Sequence, residues 1–278
     1  MSDAICSSGE IREPRTRRTL PEMYGYAFRK VVENGGDPRS VGMIYQLDGN
    51  IPEFEEDASL YFSTSAEWCP SELLGCRWVG GRVLDVGCGP GRHALALTDA
   101  GHEVVGLEPS EDGVFAARRR GVDARLGDVA APPAALGTFD TFLLLGGGLE
   151  LLGTAEDPKT VLDALASLAR PGAQVIGNFE GEPTAARSGG VPRRGGLPRS
   201  RYRLRVRHRG GLTDWSEWGG ISFFLDAADL DAAVRGTAWA APEITYPTWA
   251  DVPGSEGFGS GNDPRGAGGN LVRLRLCR

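Results

Sequence analysis

The sequence predicts an α/β fold built on a doubly wound, mostly parallel sheet. Between residues 79 and 180, short apolar runs alternate with helical patterns, which is the order that builds such a sheet. The run from Phe139 to Leu145 is apolar apart from Asp140 and Thr141 near its start, as expected for a strand that is covered on both faces. The residues at the ends of the helical patterns suit helix termini. For example, Ser110 can cap a helix that has acidic residues in its first turn, arginines in its last turn and Gly121 after its end.

Five strands and three helices are predicted within this segment. The strands are 82–86, 103–107, 122–126, 139–145 and 173–179, and the helices are 92–100, 110–120 and 157–170. Pro171-Gly172 ends the third helix, and Asp157 with Pro158 begins it. We therefore assign residues 79–180 to the central α/β core.

The segment before the core is predicted to be an arm followed by a helical cap, residues 1–78. Residues 1–20 are polar and contain a basic cluster. Pro21 can open a helix that runs to Glu33, and a second short helix is predicted from Pro38 to Leu47. Residues 48–72 are rich in acidic side chains.

The alternation stops after Phe179, and residues 181–224 are predicted to form a loop and an inserted β-hairpin. Residues 181–200 are rich in Gly, Pro and Arg, whereas residues 201–207 alternate arginine with apolar side chains, which indicates a strand with one wet face. Residues 217–224 are its predicted antiparallel partner. In residues 225–278, a helix at 226–235 and strands at 243–246 and 271–277 are expected to complete the sheet.

Charge, hydrophobicity and cysteine usage disfavour several classes of function. The 278-residue chain has a net charge of −7, the reverse of what a phosphate backbone attracts, so nucleic acid is disfavoured as a partner. No stretch approaches the ~20 apolar residues of a membrane span. The 5 cysteines are scattered and the 3 histidines lack metal-ligand spacing, which predicts no metal site and free thiols in a cytoplasmic protein.

A glycine-rich turn follows the first predicted strand. Residues 83–91 read VLDVGCGPG, with glycines at alternate positions before a helix. Missing side chains let a ligand approach the backbone, and the helix N-terminus offers free N–H groups. Glu108 ends the second strand, where a carboxylate can hold the ribose hydroxyls of an adenosine, and Asp128 ends the third, where one can accept from an adenine amino group.

In this order, the motifs resemble those of the class I S-adenosylmethionine-dependent methyltransferases. The resemblance covers residues 79–180. Within the family, the combination of motifs is similar to that of small-molecule methyltransferases from high-GC bacteria. It implies a Rossmann-like, seven-stranded, mostly parallel sheet whose last strand is antiparallel. It also implies S-adenosyl-L-methionine as cofactor and S-adenosyl-L-homocysteine as product. Gly146 to Gly148 stand where nucleic-acid amino methylators carry a polar residue followed by prolines and an aromatic, which argues against DNA bases as substrates.

The resemblance carries site roles onto this sequence. The implied cofactor-binding residues are Asp85, Gly87, Cys88, Gly89, Glu108, Pro109, Asp128, Val129, Leu145 and Gly146. Glu150 and His93 are the candidate proton acceptors, because both follow segments that face the cofactor in the family. The candidate substrate-binding residues are Tyr24, Tyr26, Tyr61, Trp215 and Trp218.

The predicted function is transfer of a methyl group to an O, N or C nucleophile of a small molecule, by a monomer or homodimer. Two alternatives stay open at this point. One is RNA methylation through the arginine-rich residues 187–209. The other is an S-adenosylmethionine-binding protein that catalyses a reaction without methyl transfer.

Overall fold

A computed structural model of the chain describes residues 17–49, 52–153, 158–179, 193–194, 197–222, 227–253 and 270–277. The strands in chain order are β1 Val41–Leu47, β2 Phe54–Asp57, β3 Val83–Val86, β4 Val104–Glu108, β5 Ala124–Leu126, β6 Phe139–Leu144, β7 Ala169–Phe179, β8 Arg193–Arg194, β9 Leu197–His208, β10 Gly211–Leu212, β11 Gly219–Ser222, β12 Glu243–Thr245 and β13 Asn270–Arg275. The α-helices are α1 Leu20–Glu33, α2 Ser59–Phe62, α3 Pro70–Arg77, α4 Arg92–Asp99, α5 Glu111–Arg119, α6 Pro158–Ser167 and α7 Ala227–Val234.

The larger sheet has seven strands in the order β12-β13-β7-β6-β3-β4-β5. The five strands from β7 to β5 are parallel, and β13 is inserted antiparallel between β7 and β12. The predicted α/β fold and the antiparallel last strand are thus confirmed. The sheet is doubly wound, because one apolar layer packs it against α3, α4 and α5 and the other against α6 and α7.

A second, antiparallel sheet is formed by β10-β9-β1-β2, with β8 and β11 also paired to β9. The predicted strand at 201–207 lies within β9. The strand β11, which lies in the predicted partner segment 217–224, pairs antiparallel with Arg199 to Tyr202 of β9, whereas Tyr202 to His208 pair with β1. The predicted loop at 181–200 is wrong at its end, since β8 and the start of β9 pair there. The rest of that loop, and Asp157 and Phe224, lie outside the described residues.

The predicted helix at 38–47 is wrong. A 3-10 turn at Pro38–Ser40 leads directly into β1, whose seven residues pair with Tyr202 to His208 of β9. The side chains of Val41, Met43 and Tyr45 are buried on one face of β1, where they pack against α1. A short apolar run fits either a strand or a helix, and here a partner about 160 residues away in the chain decides the outcome.

Helix α1 lies between the second sheet and the core. Thr19 and Glu22 form a capping box at its start, which fits the predicted helix at 21–33. Gly25 allows the close packing against α5, because a Cβ at this position would overlap the side chain of Ser110. Arg29 then reaches Asp112 at 2.8 Å. This packing brings Tyr24 and Phe28 over the carboxyl ends of the parallel strands.

Among the helices of the described residues, none has the length and apolar character needed to cross a membrane.

Candidate functional site

The glycine turn leaves β3 at the carboxyl edge of the parallel strands, where open α/β sheets bind ligands. Gly87 and Gly89 have φ values of +67° and +53°, in the left-handed region that favours glycine. The N–H groups of Gly87 and Cys88 donate to the carbonyl of Leu107 at 2.8 and 3.1 Å. The turn is thereby held against the end of β4, next to Glu108.

Glu108 is buried at this edge, with 5% of its surface exposed. The Gly89 N–H donates to its Oε2 at 3.1 Å and the Ser110 N–H to its Oε1 at 3.2 Å. Burial raises the pKa of Glu108 to about 7, although both backbone hydrogen bonds act in the opposite direction. A carboxylate has about four acceptor positions, so further acceptor capacity is left for the hydroxyl groups of a ligand.

A cavity of about 520 Å³ lies above the turn and Glu108. This volume is typical of small-molecule sites. Its lining comes from the glycine turn, the ends of β4 and β6, the 3-10 helix at Gly148–Gly153, helix α1 and the second sheet. The lining residues include Leu20, Tyr24, Phe28, Leu60, Tyr61, Gly87, Cys88, Gly89, Pro90, Arg92, His93, Glu108, Pro109, Leu145, Gly146, Gly147, Gly148, Glu150, Leu151, Tyr202, Glu217, Trp218 and Gly219.

Three tyrosines, Tyr24, Tyr61 and Tyr202, line the cavity, and Tyr45 contacts Tyr61. The hydroxyls of Tyr24 and Tyr202 lie 3.0 Å apart, and those of Tyr45 and Tyr61 lie 3.2 Å apart. Burial raises the pKa of all four phenols, most directly by removing water from the charged form. They therefore stay neutral at physiological pH and supply aromatic faces and hydroxyl groups.

A buried charge cluster joins α3 to α4 beside the cavity. Glu72 Oε1 accepts from Nη2 of Arg92 and lies 3.1 Å from Nε2 of His93. Arg92 also donates to Ser63 Oγ at 3.0 Å, and the indole of Trp68 lies 4.7 Å from the His93 ring, centroid to centroid. Burial acts to raise the pKa of Glu72, but the His93 hydrogen bond and the Arg92 charge outweigh it and lower the pKa to about 2.

Sequence reasoning missed Glu72, Arg92 and Tyr202. Glu72 lies in an acidic segment that reads as solvent-exposed, and nothing in its spacing indicates a partner 20 residues later. The available signal was the position of Arg92, an arginine immediately after the glycine turn. Tyr202 lies in a segment where arginines alternate with apolar residues. The alternation indicates that Tyr202 is on the buried side, but it does not indicate that Tyr24 is its neighbour.

The structure brings most of the predicted site residues to one cavity. Those lining it are Gly87, Cys88, Gly89, Glu108, Pro109, Leu145, Gly146, His93, Glu150, Tyr24, Tyr61 and Trp218. Tyr26 and Trp215 line a separate cavity near Arg18 and Thr213. Val129 is buried in the core, and Asp128 is exposed and accepts from the Ala130 N–H at 2.8 Å.

Asp85 lies below the glycine turn and is almost fully buried. Burial raises its pKa, and one of its oxygens accepts from the backbone N–H of Ala94. Its Oδ2 has no hydrogen-bond partner within the described parts of the chain. A buried carboxylate oxygen left in this way is a group that a ligand donor or a water can satisfy.

The described residues also contain no group of three or more His, Cys, Asp or Glu side chains arranged to hold a metal ion.

Comparisons with known proteins agree with this architecture. A family model described as a methyltransferase domain matches residues 83–172. The ubiquinone biosynthesis O-methyltransferase of Aeromonas salmonicida is 29% identical over 141 residues, which cover 45% of this chain and 59% of that protein. The chain thus spans about three-fifths of the length of the first curated relative that it matches.

Two solved structures share the fold over nearly the whole chain. A methyltransferase from Bacteroides fragilis, in complex with S-adenosyl-L-homocysteine, aligns with a TM-score of 0.67 at 20% identity and covers 95% of this chain and 98% of its own. The sugar N-methyltransferase KedS8 from a Streptoalloteichus species aligns with a TM-score of 0.53 at 16% identity, over 100% of both chains.

Proposed function

Because residues 83–172 of this chain belong to the methyltransferase domain family, we propose that the protein is a class I S-adenosylmethionine-dependent methyltransferase acting on a small molecule. The acceptor is an O, N or C nucleophile. The observation that carries the proposal is the cavity itself, since it joins a glycine turn and a buried carboxylate to an aromatic wall.

The residues present fit the cofactor. Glu108 is placed to accept from ribose hydroxyls, and the side-chain-free turn at Gly87 and Gly89 allows the methionine part to approach the backbone. Leu145 and Gly146 extend the same surface from the end of β6. When bound, S-adenosylmethionine supplies an electrophilic methyl group on a positively charged sulfur.

The chain contributes alignment and exclusion of water. Tyr24, Phe28 and Tyr61 cover the cavity from α1 and the residues that follow β2, and they are packed edge to face or tilted against one another at 5.1–6.1 Å between ring centroids. A rigid aromatic wall of this kind can hold an acceptor in line with the methyl group. Orientation alone can lower a barrier by ~7–11 kcal/mol.

Proton removal from the acceptor is assigned to Glu150, with His93 as the second candidate. Glu150 lies in the 3-10 helix that follows the end of β6 and is close enough to Tyr202 to raise the pKa of its phenol. His93 Nε2 is already engaged by Glu72 at 3.1 Å. We prefer Glu150 because it follows directly on β6, whose end lines the cavity.

RNA methylation is less well supported. Arg201, Arg205 and Arg207 of β9 are paired with acidic side chains of the segment that contains β1 and β2. Guanidinium groups neutralised in this way offer little to a phosphate backbone.

The second alternative is a cofactor-binding protein that does not transfer the methyl group. Its products would not gain the mass of a methyl group. Mass spectrometry of reactions with a methyl-labelled cofactor tests this directly.

Glu108→Gln should weaken binding of S-adenosyl-L-homocysteine by ~1–3 kcal/mol, because an amide replaces a charged hydrogen-bond acceptor without changing the shape. Isothermal titration calorimetry measures the effect. Glu103→Gln is the matched control, since Glu103 lies just before β4 and its side chain is 71% exposed. Absence of binding to the wild-type protein would contradict the proposed function.

Affinity for S-adenosyl-L-homocysteine should also fall on acidification below pH 7. The pKa of Glu108 is raised to about 7 from an ordinary 4.5, so the carboxyl group holds a proton over that range and must release it to accept from ribose hydroxyls. Between pH 8 and pH 5.5, a single group of this pKa weakens binding by about 30-fold. Calorimetry in buffers of different ionisation enthalpy should detect the released proton. The Glu108→Gln variant should show neither effect.

A further inference from the structure

Three arginines of β9 interleave with two tryptophans of the segment that follows β10. Arg201 lies 5.6 Å from the ring centroid of Trp218, and Arg203 lies 4.9 Å from Trp218 and 4.7 Å from Trp215. Arg205 lies 4.3 Å from Trp215. The order is therefore Arg201, Trp218, Arg203, Trp215, Arg205, which we name the Arg–Trp stack. Each contact is within the range of a cation–π interaction.

The guanidinium groups of the stack are fixed from the other side by β1 and the acidic segment around it. Arg203 Nε donates to Gln46 Oε1 at 2.6 Å. Arg205 Nη2 donates to Glu53 Oε2 at 3.0 Å, and Arg201 lies 3.7 Å from Asp48. The prediction of a solvated arginine face is therefore wrong for Arg203 and Arg205, which are half-buried.

The residues beside Trp218 connect the stack to the cavity. Glu217, Trp218 and Gly219 all line it. The Glu217 N–H donates to the carbonyl of Arg18 at 2.8 Å, just before α1. Gly219 packs so closely on Leu20 that a Cβ at this position would overlap the leucine side chain. The segment 217–219 and the start of α1 thus form one continuous part of the cavity wall.

Successive side chains of β9 point to opposite faces of the second sheet. Tyr202 points to the opposite face from Arg201 and Arg203, lines the cavity and contacts Tyr24. The arginines hold the segment that carries Trp218, so both faces of the same strand shape the cavity. Arg203 is central, because it contacts both tryptophans and is bonded to Gln46.

We propose that Arg203 is a positioning residue for acceptor binding, which sets the place of Trp218 and Glu217 in the cavity wall through the Arg–Trp stack. The inference rests on the proposed function, in which the acceptor occupies this part of the cavity. It assigns a role to a residue that does not itself line the cavity. Arginine is suited to this role because its planar group stacks on an indole while its N–H groups bond in the plane, which lysine cannot reproduce.

The test uses full-length protein labelled with 5-fluorotryptophan. Trp215→Phe and Trp218→Phe assign two of the six tryptophan fluorine resonances. In Arg203→Gln, the Trp218 and Trp215 resonances should shift and the solvent-isotope effect on Trp218 should grow, while the other four tryptophan resonances stay unchanged. Arg203→Lys keeps the charge and should show the same change in weaker form, and it serves if the Gln variant does not fold. Arg207→Gln is the control, because Arg207 shares the strand face but bonds to Glu55.

Binding and kinetics separate this proposal from the proposed function. Arg203→Gln should bind S-adenosyl-L-homocysteine within about twofold of the wild-type affinity. It should raise KM for the acceptor identified with methyl-labelled cofactor by about tenfold or more, with kcat nearly unchanged. Unchanged tryptophan resonances, or an unchanged KM despite shifted resonances, would overturn the role of Arg203. If the wild-type protein does not bind S-adenosyl-L-homocysteine, the methyltransferase proposal itself is refuted.

Discussion

Replacing Glu150 with Gln should lower kcat by about 10²–10⁴, while affinity for S-adenosyl-L-homocysteine stays nearly unchanged. This is the size of effect that loss of a general base has when a protonated acceptor must be activated. Among the side chains of the cavity wall, the tyrosines stay neutral, since burial raises the pKa of each phenol. A carboxylate next to Tyr202 is therefore the better proton acceptor.

The measurement is the pH profile of kcat between pH 6 and 9, with the acceptor found by labelled-cofactor screening of metabolite extracts. His93→Ala is measured in parallel, because His93 also lines the cavity. Asp163→Asn on α6 is the control, where an exposed carboxylate pairs with Lys159 at 2.9 Å. Near-normal kcat in both the Glu150 and His93 variants across this range would show that neither residue is the base. Catalysis would then rest on alignment alone, or the base would lie in the N-terminal helices or the hairpin.

Glu72→Gln should destabilise the protein by ~3–5 kcal/mol. Removing one partner of a buried ion pair leaves the other charge buried without compensation, and Arg92 and Glu72 have side chains only 9% and 6% exposed. His93 contacts the same oxygen of Glu72 and loses the negative charge beside it at the same time. Urea unfolding at pH 7 measures the free-energy difference.

The control for Glu72 is an exposed pair of the same type. Glu243→Gln removes the partner of Arg275, whose side chain is 55% exposed, and should cost no more than about 1 kcal/mol. The cost of Glu72→Gln should also depend on pH. The pKa of Glu72 is lowered to about 2 from an ordinary 4.5, so its contribution is complete above pH 4.5 and is lost as the pH falls towards 2. Equal costs for the two variants at pH 7 would contradict a buried network.

The central sheet and the cofactor side of the candidate site follow from local patterns. A largely apolar strand such as 139–144 needs cover on both faces, and the helices between the strands provide it. The glycine turn and Glu108 lie at strand ends, and parallel strands bring their carboxyl ends to one edge. These features were predictable because each depends on spacing within about 30 residues.

The wall of the cavity that α1 and the second sheet supply, where we propose that the substrate binds, depends on pairings that no local pattern encodes. Residues 41–47 form a short apolar run that fits either a helix or a strand, and β1 forms because β9 offers a matching edge. The arginines of β9 read as a wet strand face, yet two of them are half-buried under Trp215 and Trp218. Their partners come from distant parts of the chain, so sequence periodicity shows the alternation but not what covers it.

By itself, the sequence determined the doubly wound core, the glycine turn and the acid at the end of β4, since hydrophobic periodicity, caps and turn glycines act over one or two neighbouring elements. Only the tertiary structure decided that Glu72 joins Arg92 and His93, that Tyr24 meets Tyr202, and that Tyr26 and Trp215 lie outside the main cavity. The physical reason is that burial and charge pairing are properties of the packed chain. A carboxylate such as Glu72 looks exposed in sequence until the helices that bury it and the guanidinium that compensates it are brought together.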